Sequence, residues 1–406
     1  MSTTTPINAK HLPLCFLTLI GIGLSPLAAS DNGNTVSQWL DDSKTQLSLR
    51  YRFENVSQEG FDSDAEANTV RTRLSWTSST QKALSFKLEI DDVRTLGSER
   101  FNNTANGEGT YPVVADPEGS EVNQAYVKYT NGDFSFTGGR QRINLDDQRF
   151  VGGVGWRQNE QTYDGVRFNY DHNELKADYS YIKNVNRIFG PEGSKANLDG
   201  DIHLLNIRQP INKDHTLTGF AYGLDFSDQS AFALSSNTVG VRYQGNFSGF
   251  KVLASLARQS DTGNNPVKYS ANYALMELSG KLSPSVNWTA GHEILGSDEG
   301  TKAFNTPLAT LHKFQGFADK FLGTPADGLR DSYLGLGVKV GDAKVKMTYH
   351  YFNSDEGGDK LGSEWDLALV YPLTKHLKAL VKYADYQADE HASDTQKFHV
   401  QLQLAL

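Results

Sequence analysis

The chain reads as an all-β protein, a single antiparallel transmembrane β-barrel of about 18 strands with long extracellular loops and short periplasmic turns. Three observations predict it. Segments from Gln46 onward alternate apolar and polar residues, the connections between them alternate short and long, and a secretion-type leader precedes a mature chain without cysteine.

The leader comes first. Lys10 and His11 give a positive start, Leu12 to Leu24 form the apolar stretch, and Ala28, Ala29 and Ser30 are the small residues a signal peptidase needs. Residues 1–30 are therefore expected to be removed on secretion. Cys15, the single cysteine, would leave with them, which excludes a disulfide framework or a cysteine zinc site. Residues 31–45 read as a periplasmic segment and 46–406 as the outer-membrane barrel. Asp and Glu outnumber Lys and Arg, 48 to 39, which argues against a nucleic acid partner. No apolar run is long enough for a helical span. A barrel needs apolar residues only at every second strand position.

The strands follow, each of about ten residues, the length a tilted membrane strand requires. QLSLRYRFE turns Leu47, Leu49, Tyr51 and Phe53 outward and Arg50, Arg52 and Glu54 inward. NTVRTRLSW sets Val70, Leu74 and Trp76 against Arg71 and Arg73, and ALSFKLEID sets Leu84, Phe86, Leu88 and Ile90 against Lys87, Glu89 and Asp91. AKVKMTYHYF places Lys344, Lys346 and His350 inward, SEWDLALVY does so with Glu364 and Asp366, and the next strand with Lys378 and Lys382. The chain closes on KFHVQLQLAL, with Phe398, Val400, Leu402, Leu404 and Leu406 on one side. Arg167, Lys176, Arg208, Arg242 and Lys251 join the inward bases; Asp178, Asp225 and Glu277 join the inward acids. Aromatics near strand ends, among them Trp76, Phe134, Tyr170, Phe226 and Trp365, suit the headgroup level.

Short turns read at 78–82, 130–133, 171–174, 245–249, 340–343 and 371–376. Long polar segments read at 93–120, 143–158, 185–200, 261–270 and 297–329. With the N-terminus in the periplasm, odd strands run outward and the long segments lie outside the cell, the asymmetry of a membrane barrel.

Two segments stand out. Residues 138–170 hold Arg140, Arg142, Arg149, Arg157 and Arg167 around a long outer loop. Parity from Phe134 and Phe136 would point Arg140 at lipid, which costs a few kcal/mol at mid-membrane. A bulge at Gly138-Gly139 would turn Arg140 and Arg142 into the lumen instead, and that is the expectation adopted. The alternative keeps Arg140 above the membrane, paired with Asp146 or Asp147. Between Pro307 and Phe321, Leu308, Leu311, Phe314, Phe317 and Phe321 are spaced as one face of a short helix. A loop this apolar is expected to fold into the barrel mouth as a constriction.

The segments GRQRINLDDQRFVGG, GWRQNEQTYDGVRF and AFNTPLATLHKFQGFADKFLGTPADGLRD resemble the signature segments of the alginate-export family of outer-membrane barrels. The resemblance implies a monomeric 18-stranded barrel whose basic lumen passes anionic polymers or small anions. It also carries Arg140, Arg142, Arg149, Arg157 and Arg167 onto the substrate path. Family members that export alginate have a long gating turn on the periplasmic side, and no inner connection here reads longer than about seven residues, near the ordinary barrel turn.

The reading adopted is a passive channel for anionic sugars, oligosaccharides or uronate polymer. Rings of fixed positive charge in a narrow water column concentrate anions. A general diffusion porin with little charge preference is the alternative. An outer-membrane enzyme belongs to another class, but none of the ten histidines lies in a nucleophile-elbow setting or a zinc-ligand spacing. His292 and Glu293, as strand neighbours, point to opposite faces, and His350 with Asp366 reads as a lumen pair. No catalytic residue, metal or cofactor is expected. The expected partners are outer-membrane lipid and lipopolysaccharide, the barrel-assembly machinery, and an anionic saccharide or small anion.

Overall fold

The computed structural model describes residues 35–406; the expected leader lies outside the described residues. One short helix, α1 (Thr35–Leu40), precedes the wall and sets Trp39 edge-on against Phe86, ring centres 5.4 Å apart. Eighteen strands follow. They are β1 (Lys44–Gln58), β2 (Ala65–Thr77), β3 (Leu84–Thr95), β4 (Gly119–Asn131), β5 (Phe134–Gln141) and β6 (Thr162–His172). Next come β7 (Leu175–Asn186), β8 (Asn197–Asn212), β9 (His215–Phe226), β10 (Ser236–Phe247), β11 (Phe250–Asp261) and β12 (Ser270–Ser283). The last are β13 (Val286–Leu295), β14 (Leu329–Val340), β15 (Ala343–Asn353), β16 (Lys360–Pro372), β17 (Leu377–Ala388) and β18 (Thr395–Ala405).

Each strand pairs antiparallel with its sequence neighbours, and β1 pairs with β18 from Ser48 opposite Ala405 to Gln58 opposite Thr395. That last ladder closes the sheet and leaves no edge, the condition for crossing a bilayer with strands. The period-two faces hold along β1 to β3 and β15 to β18: Arg50, Arg52, Glu54, Arg71, Asp91, His350, Glu364, Asp366 and Lys382 face inward and are buried. Leu74, Leu88, Met347, Trp365 and Leu402 stay exposed on the outer wall, where lipid covers them. Outer rings meet across strands near the periplasmic end, Phe134 tilted against Tyr170 at 4.8 Å and Phe247 stacked on Phe250 at 5.2 Å.

Two inner sectors break the greasy-out, polar-in rule, a small one where Val56, Ala65 and Ala67 pack on Phe101 and Val114 of the loop between β3 and β4, and a larger one around β9. In β9 the inward residues are Thr218, Phe220, Tyr222, Leu224 and Phe226, all buried, while Asp225 is exposed on the outside. The expected faces of Asp225 and Phe226 are thus reversed. The cause is an inserted loop: Phe150, between β5 and β6, packs on Phe220 at 4.9 Å and on Tyr273 at 5.1 Å, so this stretch of inner wall is a hydrophobic core.

The luminal constriction as candidate functional site

Two outer loops fold down into the lumen, residues 142–161 between β5 and β6 and residues 296–328 between β13 and β14, and a third, residues 96–118 between β3 and β4, reaches inward to the first through Asp116. The first two meet there. Val151 and Leu308 form a parallel bridge, the Gly152 N–H donates to the Leu308 carbonyl at 2.9 Å, and the Thr310 N–H donates to the Gln148 carbonyl at 3.0 Å. Gly152 permits this approach, because a Cβ there would lie 2.3 Å from Thr310 Oγ1. Buried Tyr163 donates its hydroxyl hydrogen to the Gly152 carbonyl at 2.9 Å and so ties the joint to the wall.

The arginines of β1 and β2 anchor the first loop. Arg50 donates to the carbonyls of Gly155 and Arg157 at 3.0 and 3.2 Å, Arg52 to the carbonyl of Trp156, and Arg71 to that of Gln158 at 3.2 Å. Arg73 holds Glu160 at 2.9 Å and Asp91 at 2.7 Å, and Arg142 reaches Glu89 at 3.0 Å as well as Glu160. Arg50 and Arg71 sit directly opposite one another in the sheet. Their repulsion is offset by the loop's carbonyl dipoles and by Glu160, whose carboxyl the surrounding guanidiniums hold well below the usual range against the opposing pull of burial. Consequently Arg50, Arg52 and Arg71 are only 8%, 1% and 2% exposed. They face the lumen, as expected, but lie under the loop rather than on the water path.

A stack of rings fills the junction. Trp156 lies parallel to His312 with centres 4.1 Å apart, and the Arg52 guanidinium and the Lys382 ammonium sit 4.1 and 4.2 Å from the Trp156 ring centre. Lys382 Nζ is also 3.0 Å from the Phe317 ring centre and donates to His312 Nε2 at 2.6 Å. Nδ1 of His312 therefore carries the proton and donates it to Asp319 Oδ1 at 2.8 Å. Asp319 accepts from Lys397 at 2.8 Å and from Arg157 at 3.4 Å, and Arg157 also reaches Glu54 at 3.2 Å. Burial holds the His312 ring well below the ordinary imidazole value, while His312, Lys397 and Arg157 hold the Asp319 carboxyl well below its own despite its burial. Further support comes from the wall: Glu364 and Asp366 accept backbone N–H bonds from Ala318 and Phe317 at 2.7 and 3.2 Å.

The five apolar residues of the second loop reach the constriction without forming a helix. Only a single 3-10 turn, Leu311–Lys313, is present, because Gln315, Gly316 and Asp319 take positive φ and the Phe317 and Ala318 N–H groups bond to the wall. Leu308 packs against the first loop, Phe314 lies 4.9 Å from the Arg149 guanidinium, Phe317 joins the ring stack, and Phe321 packs on Phe352 at 4.5 Å. Leu311 lines the cavity above.

Cavities lie on both sides of the junction. An extracellular one of about 350 Å³ has Trp156, His312 and Asp319 along its wall. Below lie one of about 300 Å³ that includes Lys346 and His350, and one of about 730 Å³ that includes Arg167, Arg208 and Arg242. Around the periplasmic half, Arg167 pairs with Asp178, Lys176 with Asp171 at 2.8 Å, and Arg242 with Asp147 at 2.8 Å, while Lys87 sits 3.7 Å from Glu89. Among the described residues, Arg208, Lys251, Lys344, Lys346 and Lys378 face this half of the lumen without an ion-pair partner. His350 meets Asp331 at 3.0 Å and Asp366 at 3.8 Å, a lumen pair.

Besides Arg50, Arg52 and Arg71, two more of the expected path residues are corrected. Arg140 is on the outer face, since β5 runs without a bulge through Gly138 and Gly139; Arg140 pairs with Asp164 at 2.8 Å on the strand beside it. It also differs from the alternative, which paired it with Asp146 or Asp147. Arg149 is buried in a tie between loop and wall, held by Glu293 at 2.6 Å and Thr306 at 2.8 Å. The residues that sequence reasoning missed are the carboxylates and rings of the latch, Asp116, Trp156, Glu160, His312 and Asp319. Asp116 is fully buried and pairs with Arg52 at 3.3 Å. A tryptophan amid glycines and arginines was the one local signal available.

The fold is similar to crystal structures of outer-membrane proteins. Pseudomonas aeruginosa OpdO matches with a TM-score of 0.70 at 14% identity over 91% of this chain and 98% of its own. Acinetobacter baumannii OccAB4 gives 0.68 at 14%, covering 90% and 98%, and Pseudomonas aeruginosa OpdK, crystallised with vanillate, gives 0.69 at 14%, covering 90% and 99%. No curated protein sequence matches the chain. The sequence profile of the family described as alginate export matches residues 42–274, more than half of the chain. With its closed 18-stranded wall, the chain therefore belongs to the alginate-export family of outer-membrane channels.

Proposed function

We propose that this outer-membrane channel conducts small anions, sugar acids and short anionic saccharides by passive diffusion and without catalysis. The observation that carries the reading is the row of unpaired cations on the periplasmic half of the lumen, Arg208, Lys251, Lys344, Lys346 and Lys378, which outnumbers the acids lining the neighbouring cavities without an ion pair, Asp146, Asp214 and Glu277. Fixed positive charge against a low-dielectric wall raises the local anion concentration. A fold of the same kind crystallised with vanillate, itself a small carboxylate, supports the reading. The two joined loops favour small cargo over polymer, since they divide the lumen into separate cavities.

Swelling of liposomes loaded with the purified barrel tests this. Gluconate should enter faster than a neutral sugar alcohol of the same size. Equal rates would favour a general diffusion porin, and faster entry of a cationic solute of that size would overturn the proposal.

A further inference from the structure

The extracellular cavity differs from the spaces below it. Phe61, Val113, Trp156, Phe189, Leu311 and Leu322 give it apolar walls drawn from several loops. Val113 and Leu322 are 48% and 51% exposed, which leaves apolar surface facing the outer medium. Four cations line the same space. Arg157 and Lys397 are committed to Asp319. Arg187 and Lys320 are not paired with any carboxylate among the described residues. The Arg187 guanidinium lies 4.7 Å from the Phe189 ring centre, and its buried Nε has no partner. Burial lowers the Lys320 ammonium to about 8, with Lys397 adding repulsion and the carboxylates of Glu364, Asp319 and Asp394 opposing it, and burial alone lowers Arg187.

We propose that this vestibule is a selectivity site for monocarboxylates with an apolar body, held at the carboxylate by Arg187 and Lys320 and at the body by the apolar walls. The inference rests on the anion-channel reading and names a subclass within it. A planar guanidinium matches both oxygens of a carboxylate. About 350 Å³ lies at the small end of ligand pockets and suits a single ring. A sugar acid fits these walls poorly, because each hydroxyl buried without a partner is penalised. The vestibule therefore sorts anions by their bodies before the lumen sorts solutes by charge.

The test is single-channel recording of the full barrel in a planar bilayer, with benzoate or glucuronate added on the extracellular side. Benzoate should interrupt the current at concentrations about tenfold below those of glucuronate, a difference of about 1.4 kcal/mol. R187Q and K320Q should each erode that difference, and raising the pH through about 8 should weaken the benzoate block as Lys320 loses its charge. Equal block by the two anions overturns the site, as does a benzoate preference that survives both substitutions. Should either variant fail to assemble, the wild-type comparison still decides. Anion-selective reversal potentials with no benzoate preference would sink this inference alone, whereas cation selectivity would sink the channel reading beneath it.

Discussion

Replacing Asp319 with Asn should release the second loop. In the structure this carboxylate joins three elements: it accepts from His312 on its own loop, from Arg157 on the other loop and from Lys397 on β18. Asparagine keeps the shape but removes the charge. Arg157 still has Glu54 at 3.2 Å and Asp116 at 3.7 Å, but Lys397 is left buried with no ion-pair partner among the described residues. Breaking a buried pair from one side costs 3–5 kcal/mol. Because Arg157 retains its other partners, the lower end applies, about 3 kcal/mol. At 1.4 kcal/mol per tenfold, the ratio of latched to released loop falls by about 100-fold. Single-channel recording of D319N should reveal a larger or noisier conductance, while the heat needed to unfold the barrel in detergent stays the same, since Asp319 is not part of the wall. A variant with wild-type conductance and wild-type noise would refute the latch.

Acid should loosen the same latch. His312 faces Asp319 on its own loop, Arg157 on the first loop, Lys382 on β17 and His399 on β18, with Trp156 and Phe317 against its ring. Its latched value is depressed, so a released ring, with an ordinary value of about 6.5, takes up protons first and the latched state weakens as the pH falls below that point. Conductance should therefore rise between pH 7.5 and 5 in the wild type, and a flat profile would count against the assignment. Neutralising Lys344, Lys346 and Lys378 together as glutamines should lower the anion-to-cation permeability ratio several-fold; no change would place the selective charges elsewhere. R140Q should leave that ratio untouched, because Arg140 pairs with Asp164 on the outer face and not in the lumen. A selectivity change in R140Q would put its side chain back in the lumen.

The wall was legible because each strand writes its faces at period two. Arg71 and Arg73 against Val70 and Leu74 needed no tertiary knowledge to place. The reading failed where a side chain's partner came from far along the chain. Phe220 and Tyr222 point inward only because Phe150 arrives to cover them, and nothing near β9 announces that loop. The bulge assigned to Gly138-Gly139 failed for a related reason. Arg140 needs no escape from the outer face once Asp164 stands beside it, and that pairing depends on register. Register shifts do occur nearby, between β3 and β4 at Glu89 and Ile90 and between β6 and β7 at Asp164 and Gly165, but not in β5. At the constriction, the spacing of Leu308, Leu311, Phe314, Phe317 and Phe321 located the segment correctly but not its conformation, because wall carboxylates bind the N–H groups a helix would need. The β1 and β2 arginines faced the right way, yet a sequence cannot tell a charge in water from one bound to a loop carbonyl.

The central claim is that the water path runs through a lumen whose net unpaired fixed charge is positive. The reversal potential of the purified barrel in a planar bilayer, under a tenfold potassium chloride gradient, tests it most directly. The account predicts a potential with the sign set by chloride crossing faster than potassium; a potential of the opposite sign would contradict it.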